Sequence, residues 1–548
     1  MDQRPAEAHP EVRTEAGIVR GRWRPGSAAF LGIPFAEAPV GALRFAAPVP
    51  KAPWDGVLDA AEYGATAQRG DPGIVLIPEP SVPGESTLNV NVFTPSPEPG
   101  GGLPVLVWIH GGGYVAGSPA SPWYDGRAFN RDGVVTVTIS YRLGFDGFGW
   151  IEDAPPNRGV RDWLLALEWV QRNISAFGGD PSRVTLAGQS AGGGAVLTLL
   201  GMEAAQHLFH QVYAMSAVFS DVSPGRAEAF GRARAAEAEV EPVRAGWAAL
   251  GEDRIVALQK KATAVNVKSL NVTVGDGLPL GPVVDGELVL RPALDSMRAG
   301  VGADKPLVLG TADDEFTTAA SAPKVANLLR WTPTGFLLGR MGLPRSRRAG
   351  YLAANRDVAA DGKARLVGRA LTDLMFRTTV PRVAAARASA AGDSVAGGSA
   401  ARDSVTGGPA ASASAARDSA AHVSAAPDSA AGGPAARDSV AGSPATSAPA
   451  ATWAYRFAWP SGRFGCAVHC LDVPFFFDCL DSPETGPLTG PQPPQPLADE
   501  VHAAAVAFAV TGDPGWPGYT PAGRMVRVFD VPSRDVPDGY ASVRPLLG

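Results

Sequence analysis

Apolar runs of four to seven residues recur along the chain and are separated by longer stretches of helical periodicity. Leu103–Ile109 (LPVLVWI) reads as a buried strand, as do Val184–Ala187, Pro306–Gly310 and Trp453–Phe457. Between them, Gly193–Leu200, Leu366–Ala388 and Leu497–Val510 read as helices. Strands and helices that interleave in this way from end to end predict one large α/β domain over residues 1–548, with a mostly parallel central sheet flanked by helices. The exception is residues 389–451, built almost wholly of Ala, Ser, Gly, Pro, Asp and Arg without one aromatic residue. Asp-Ser pairs recur there, starting at Asp393, Asp403, Asp418, Asp428 and Asp438. Such a unit buries too little apolar surface to offset chain entropy, so this insert is expected to be a disordered surface loop.

Two of the strands end in chemistry. Val184–Ala187 runs into Gly188-Gln189-Ser190-Ala191-Gly192, and a small-residue helix follows. Strand, G-x-S-x-G and helix together make a nucleophile elbow, in which a sharp turn holds the Ser190 side chain out at the end of the sheet. Leu103–Ile109 ends in His110-Gly111-Gly112-Gly113, the glycine loop whose backbone can approach a substrate oxygen. The expected oxyanion donors are the N–H groups of Gly112, Gly113 and Ala191. This pairing predicts the α/β-hydrolase fold, in which a serine is followed along the chain by an acid and then by a histidine.

Serine needs a base. Of seven histidines, His9, His110, His207 and His210 lie too early or on the wrong side for that order. His422 falls in the insert, and His502 sits in the helix pattern 497–510, where it is expected on the helix surface. His469 remains, between Cys466-Ala467-Val468 and the apolar wall Val473–Phe477. The acid should follow the strand Pro306–Gly310, which the pattern stops at its glycine. Asp313, Asp314 and Glu315 all stand there, and composition does not choose among them.

These segments resemble the type-B carboxylesterase/lipase family. Phe30–Ala36 with Leu43-Arg44-Phe45 is similar to the family's opening signature, and Glu85–Pro95 (ESTLNVNVFTP) to its second. Tyr141–Gly144, Trp169–Pro181, Pro282–Gly286 and Gly512-Asp513-Pro514 match later landmarks, so the likeness covers nearly everything but the insert. The resemblance implies Ser190 as nucleophile, Glu315 as acid and His469 as base, with Gly112, Gly113 and Ala191 holding the oxyanion. It implies hydrolysis of small-molecule carboxylic esters through an acyl-enzyme, with no cofactor. It leaves open a non-catalytic binding protein on the same fold, and amides, carbamates or lactones as substrates. Two positions depart from the pattern. Gln189 stands where the family usually has glutamate, and Thr87 where it usually has cysteine.

Composition narrows the rest. At 45% hydrophobic and 19% charged, with a formal net charge of −6, the chain is an ordinary globular protein without the basic patches that nucleic acid requires. Three cysteines make no disulfide scaffold, and Cys466, Cys470 and Cys479 lack a metal-site spacing, so no metal is expected. The first seventeen residues lack a signal-peptide pattern, and no run reaches a membrane span, so a cytoplasmic location is expected. Leu278 and Leu280 are candidates for the wall of an acyl pocket. No tryptophan lies between Gly64 and Glu85, which argues against a quaternary ammonium substrate.

Overall fold

The computed structural model describes residues 9–69, 76–263, 277–400 and 450–547. Its centre is an eleven-stranded sheet. In chain order the strands are β1 (Arg22–Arg24), β2 (Ser27–Pro34), β3 (Asn89–Thr94), β4 (Leu103–Ile109), β5 (Val135–Ile139), β6 (Gly179–Gln189), β7 (Gln211–Met215), β8 (Leu307–Ala312), β9 (Thr452–Phe457), β10 (Val526–Phe529) and β11 (Arg534–Val536). In space they run β11-β10-β9-β8-β7-β6-β4-β5-β3-β2-β1. From β10 to β5 all neighbours are parallel, and the antiparallel pairs lie at the two margins. A small sheet of Glu11–Arg13, Ile18–Arg20 and Val57–Asp59 stands apart from it.

Parallel strands need crossovers, and the crossovers cover both faces. The strands β5 and β7 are therefore buried at every position, as are the last six positions of β4, whose sequence LPVLVWI reads as a continuous apolar run. Helix α1 (Arg158–Asn173) packs through Val160, Trp163, Leu167 and Val170 against one core cluster, which includes Val105, Val107 and Leu186. On the other face, Leu106, Trp108 and Tyr213 meet Phe476, Phe477 and helix α5 (Gln495–Thr511). The α/β-hydrolase expectation therefore holds at the level of sheet order, and each anticipated strand is present.

Three local expectations are corrected. The strand before the acids does not stop at Gly310 but continues to Ala312, the Tyr455 ring of the neighbouring strand lying over the glycine. The pattern read as one helix over 366–388 is broken: α3 (Lys363–Thr372) passes through a π-helical turn (Asp373–Arg377) into α4 (Thr379–Ala400). Helix α4 thus continues past Ser389 into the insert, whose residues 401–449 lie outside the described residues. His502 is not a surface residue. It is 2% exposed, with Nδ1 2.8 Å from the Phe476 carbonyl and Nε2 3.0 Å from Asp132 Oδ2. The apolar turn Val473–Phe476 packs against α5 and covers that face.

Candidate active site

Five adjacent strands deliver the site from their C-terminal ends, where parallel sheets expose free loop and helix termini. Strand β6 ends at Gln189, and α2 (Ala191–Leu200) begins directly after Ser190. Ser190 joins them with φ 60° and ψ −121°, a conformation that costs a non-glycine residue about 1–3 kcal/mol. The turn is held by Ser190 N–H donating to the Met215 carbonyl at 2.9 Å and by Gly194 N–H donating to the Ser190 carbonyl at 2.9 Å. At Gly192 a Cβ would stand 2.0 Å from the Ile109 carbonyl, so only glycine lets α2 lie this close to the end of β4.

Strand β4 brings the loop 110–114 alongside. A Cβ on Gly111 would sit 2.7 Å from the Gln189 carbonyl and 3.1 Å from Ser190 Cβ, which measures how closely the loop presses on the elbow. Gly111, Gly112 and Gly113 line the same cavity as Ser190, and Ala191 is fully buried at the first position of α2.

Strand β8 supplies the acids and β9 leads to the histidine. The two loops are joined by backbone hydrogen bonds: Asp314 N–H to the Ala467 carbonyl at 2.8 Å and His469 N–H to the Glu315 carbonyl at 3.1 Å. These place His469 Nε2 2.9 Å from Ser190 Oγ, with Nδ1 hydrogen-bonded to Glu315 Oε2. The other Glu315 oxygen accepts from Ser216 Oγ at 2.6 Å and from Ala312 N–H at 2.9 Å. With three hydrogen bonds and 1% exposure, the Glu315 carboxylate is fixed in one orientation. Hydroxyl, imidazole and carboxylate in line can carry a proton from oxygen to nitrogen and stabilise the cation that results.

Burial disfavours the charged imidazole of His469, but the Cys470 sulfur and the Glu315 carboxylate more than offset this and hold its pKa well above the ordinary histidine range. Phe376 and Phe316 pack against the ring at centroid distances of 4.9 and 5.4 Å. Gln189, 1% exposed, places its amide nitrogen 3.3 Å from His469 Nε2, beside the Ser190 hydroxyl. Behind the line, Asp472 accepts a hydrogen bond from Tyr455 at 2.9 Å, and burial pushes its carboxyl up to about 7.

The other two acids of the loop face elsewhere. Asp313 meets Arg456 at 2.8 Å, and Asp314 meets Arg365 at 2.9 Å and Arg369 at 3.1 Å. The structure thus brings Ser190, His469, Glu315, Gly112 and Gly113 to one place, around a cavity of about 280 Å³. Leu278 lines that cavity, whereas Leu280 is 2% exposed and packs in the core. Ile77, Glu79, Met375 and Phe376 had no signal in the sequence, because none lies in a recognisable motif. Ser216 was accessible in principle, as the residue directly after the strand between the elbow and the acid.

Cys466, Cys470 and Cys479 are buried and free. Among the described residues no helix is long and apolar enough to cross a membrane.

The chain has extensive relatives. The model of the carboxylesterase family matches residues 8–332. Over 528 residues the chain is 30% identical to the phenmedipham hydrolase of Pseudarthrobacter oxydans, covering 92% of this chain and 90% of that protein. It is 43% identical over 212 residues to the para-nitrobenzyl esterase of Bacillus subtilis strain 168; that match takes in 37% of this chain and spans 42% of the esterase. Among solved structures, a Geobacillus stearothermophilus carboxylesterase crystallised at pH 6.2 superposes with a TM-score of 0.75 at 28% identity, covering 98% of this chain and all of that one, 100%.

Proposed function

The chain belongs to the carboxylesterase family, and on that premise we propose that it is a serine carboxylic-ester hydrolase in which Ser190, His469 and Glu315 act as the triad. His469 Nε2 takes the hydroxyl proton as Ser190 Oγ attacks the ester carbonyl carbon. The carbonyl electron pair moves to oxygen, where the N–H groups of Gly112, Gly113 and Ala191 receive it. When the pair returns, the C–O bond to the alcohol breaks, and His469 gives its proton to the leaving oxygen. Water then attacks the acyl-enzyme, giving a proton to His469 and hydroxide to the carbonyl, and the acid leaves as Ser190 recovers its proton. Glu315 keeps Nδ1 protonated and stabilises the imidazolium. Every step is carried by groups of this chain.

The observation that carries the reading is the unbroken line from Ser190 Oγ through both nitrogens of His469 to Glu315, at the wall of an open cavity. The apolar lining by Leu76, Ile77, Val218, Leu278 and Phe316 suits short-to-medium acyl or alkyl groups. We read the catalytic unit as one domain; among the described residues, none of 389–400 or 450–451 lines the cavity. Replacing Ser190→Ala and assaying a short p-nitrophenyl ester should lower kcat by about 10⁴-fold or more. Hydrolysis at the undiminished rate would overturn the assignment.

A further inference from the structure

Among the described residues, the cavity beside Ser190 contains one carboxylate outside the Ser190–His469–Glu315 line. Glu79 lines it together with Leu76, Ile77, Ser190, Phe376 and His469, and is half-buried. Among the described residues no cation pairs with it, and its surroundings act on it only by desolvation. A carboxylate held in an apolar wall without a partner is costly, and an arriving cation relieves that cost.

We infer that Glu79 selects esters carrying a protonated amine, and that the cavity takes an apolar body with an ammonium group bound to this carboxylate. This rests on the ester-hydrolase reading above and names the substrate class of the same site.

Three features are compatible with an ammonium at this carboxylate. Burial raises the Glu79 carboxyl to about 8, so near neutrality the free site holds its proton, and a cation bound there draws it into the ionised form. Among the described residues, the groups facing that side of the cavity bring no rival positive charge except His469 when protonated: the other titratable neighbours are Cys470 and the phenols of Tyr124 and Tyr141. The rings of Phe316 and Phe376 stand at the same cavity and suit either an apolar chain or the alkyl shell of an amine. An ammonium with an N–H can donate to Glu79 directly, whereas a quaternary ion cannot. The absence of a tryptophan in the segment 64–85 therefore does not exclude this class.

The test compares kcat/KM for two matched ester pairs, because the amine could sit on either side of the scissile bond. One pair is 3-(dimethylamino)propyl benzoate and 4-methylpentyl benzoate. The other is the p-nitrophenyl esters of 4-(dimethylamino)butanoic and 5-methylhexanoic acids. In at least one pair the native chain should prefer the cationic ester by about ten-fold, the worth of one charge-assisted hydrogen bond. Glu79→Gln should bring that ratio to within two-fold, and Glu79→Asp should keep part of it. Glu79→Gln replaces a half-buried, protonated carboxyl with a neutral amide of the same shape, so the fold is not put at risk. No preference in either pair, or a preference that survives Glu79→Gln, overturns the inference while hydrolysis of the uncharged esters leaves the esterase reading intact. If no ester is cleaved, that reading fails by itself, and calorimetry decides the role of Glu79. Hexylammonium binding more tightly than hexanol to the native chain, but not to Glu79→Gln, supports it; equal binding to both proteins overturns it.

Discussion

Asp313 and Glu315 leave the same strand two residues apart, yet they enter different chemistry. Asp313 faces β9 and the π-helical turn, where Arg456 and Arg377 meet it. Glu315 faces the elbow, where His469, Ser216 and the Ala312 N–H meet it. Between them, Asp314 points at α3 and its two arginines. Three acids in a row thus serve two purposes. The first two tie a neighbouring strand, the π-helical turn and a helix to the end of β8 through charge pairs; the third turns a charge toward an imidazole. What separates them is the partner that the fold delivers, since residue type, burial and strand position are nearly shared.

The contrast is broken most severely by Glu315→Gln. The amide keeps the shape but can present a donor to Nδ1, which favours the wrong tautomer of His469. A fall in kcat of about 10⁴-fold is expected with a short p-nitrophenyl ester. Asp314→Asn, measured beside it, should stay within about ten-fold, because the lost pairs to Arg365 and Arg369 do not reach the reacting atoms.

Asp313→Asn should instead appear in stability. Removing one partner of a buried pair leaves Arg456 without its carboxylate, at a cost of about 3 kcal/mol in denaturant unfolding. Its pH dependence has a definite sign. Burial pushes the Asp313 carboxyl up, but Arg456, Arg377 and Arg369 prevail and hold it well below the ordinary carboxylate range. A pKa lowered by folding contributes stability that is complete above the unfolded value, about 4, and is lost as pH falls from there through the folded value. The native chain should therefore lose stability below about pH 4 more steeply than Asp313→Asn does, which unfolding midpoints across pH 2–6 would measure.

The smallest change sharpens the catalytic side. Gln189 lies 3.3 Å from His469 Nε2 and donates no charge. A carboxylate there would favour the imidazolium, so Gln189→Glu should move the acid limb of the kcat/KM profile to higher pH, by about one unit. A limb that stays in place would show that the amide contact is without electrostatic effect.

The same contrast marks how far the sequence could be read. The elbow and the glycine loop were legible because strand, turn and helix are local, and glycine is demanded at fixed spacing by close approach. His469 was legible by chain order. The choice among Asp313, Asp314 and Glu315 rested on family resemblance, because each acid is distinguished only by groups that arrive from distant strands and helices. His502 was misplaced for a related reason: the turn Val473–Phe476 that covers it cannot be read from the helix's own periodicity. Glu79, Met375 and Phe376 gave no signal at all, since a cavity wall assembled from a loop and a π-helical turn has no repeat.

The most direct measurement is covalent. A fluorophosphonate reacts with a serine only when a base removes its proton and donors receive the developing oxyanion, so it reports the whole line at once. Peptide mass mapping after labelling should find one adduct per chain, on Ser190, formed slowly in Glu315→Gln and at nearly the native rate in Asp314→Asn. Unimpaired hydrolysis of a p-nitrophenyl ester with no adduct on Ser190 would contradict the account.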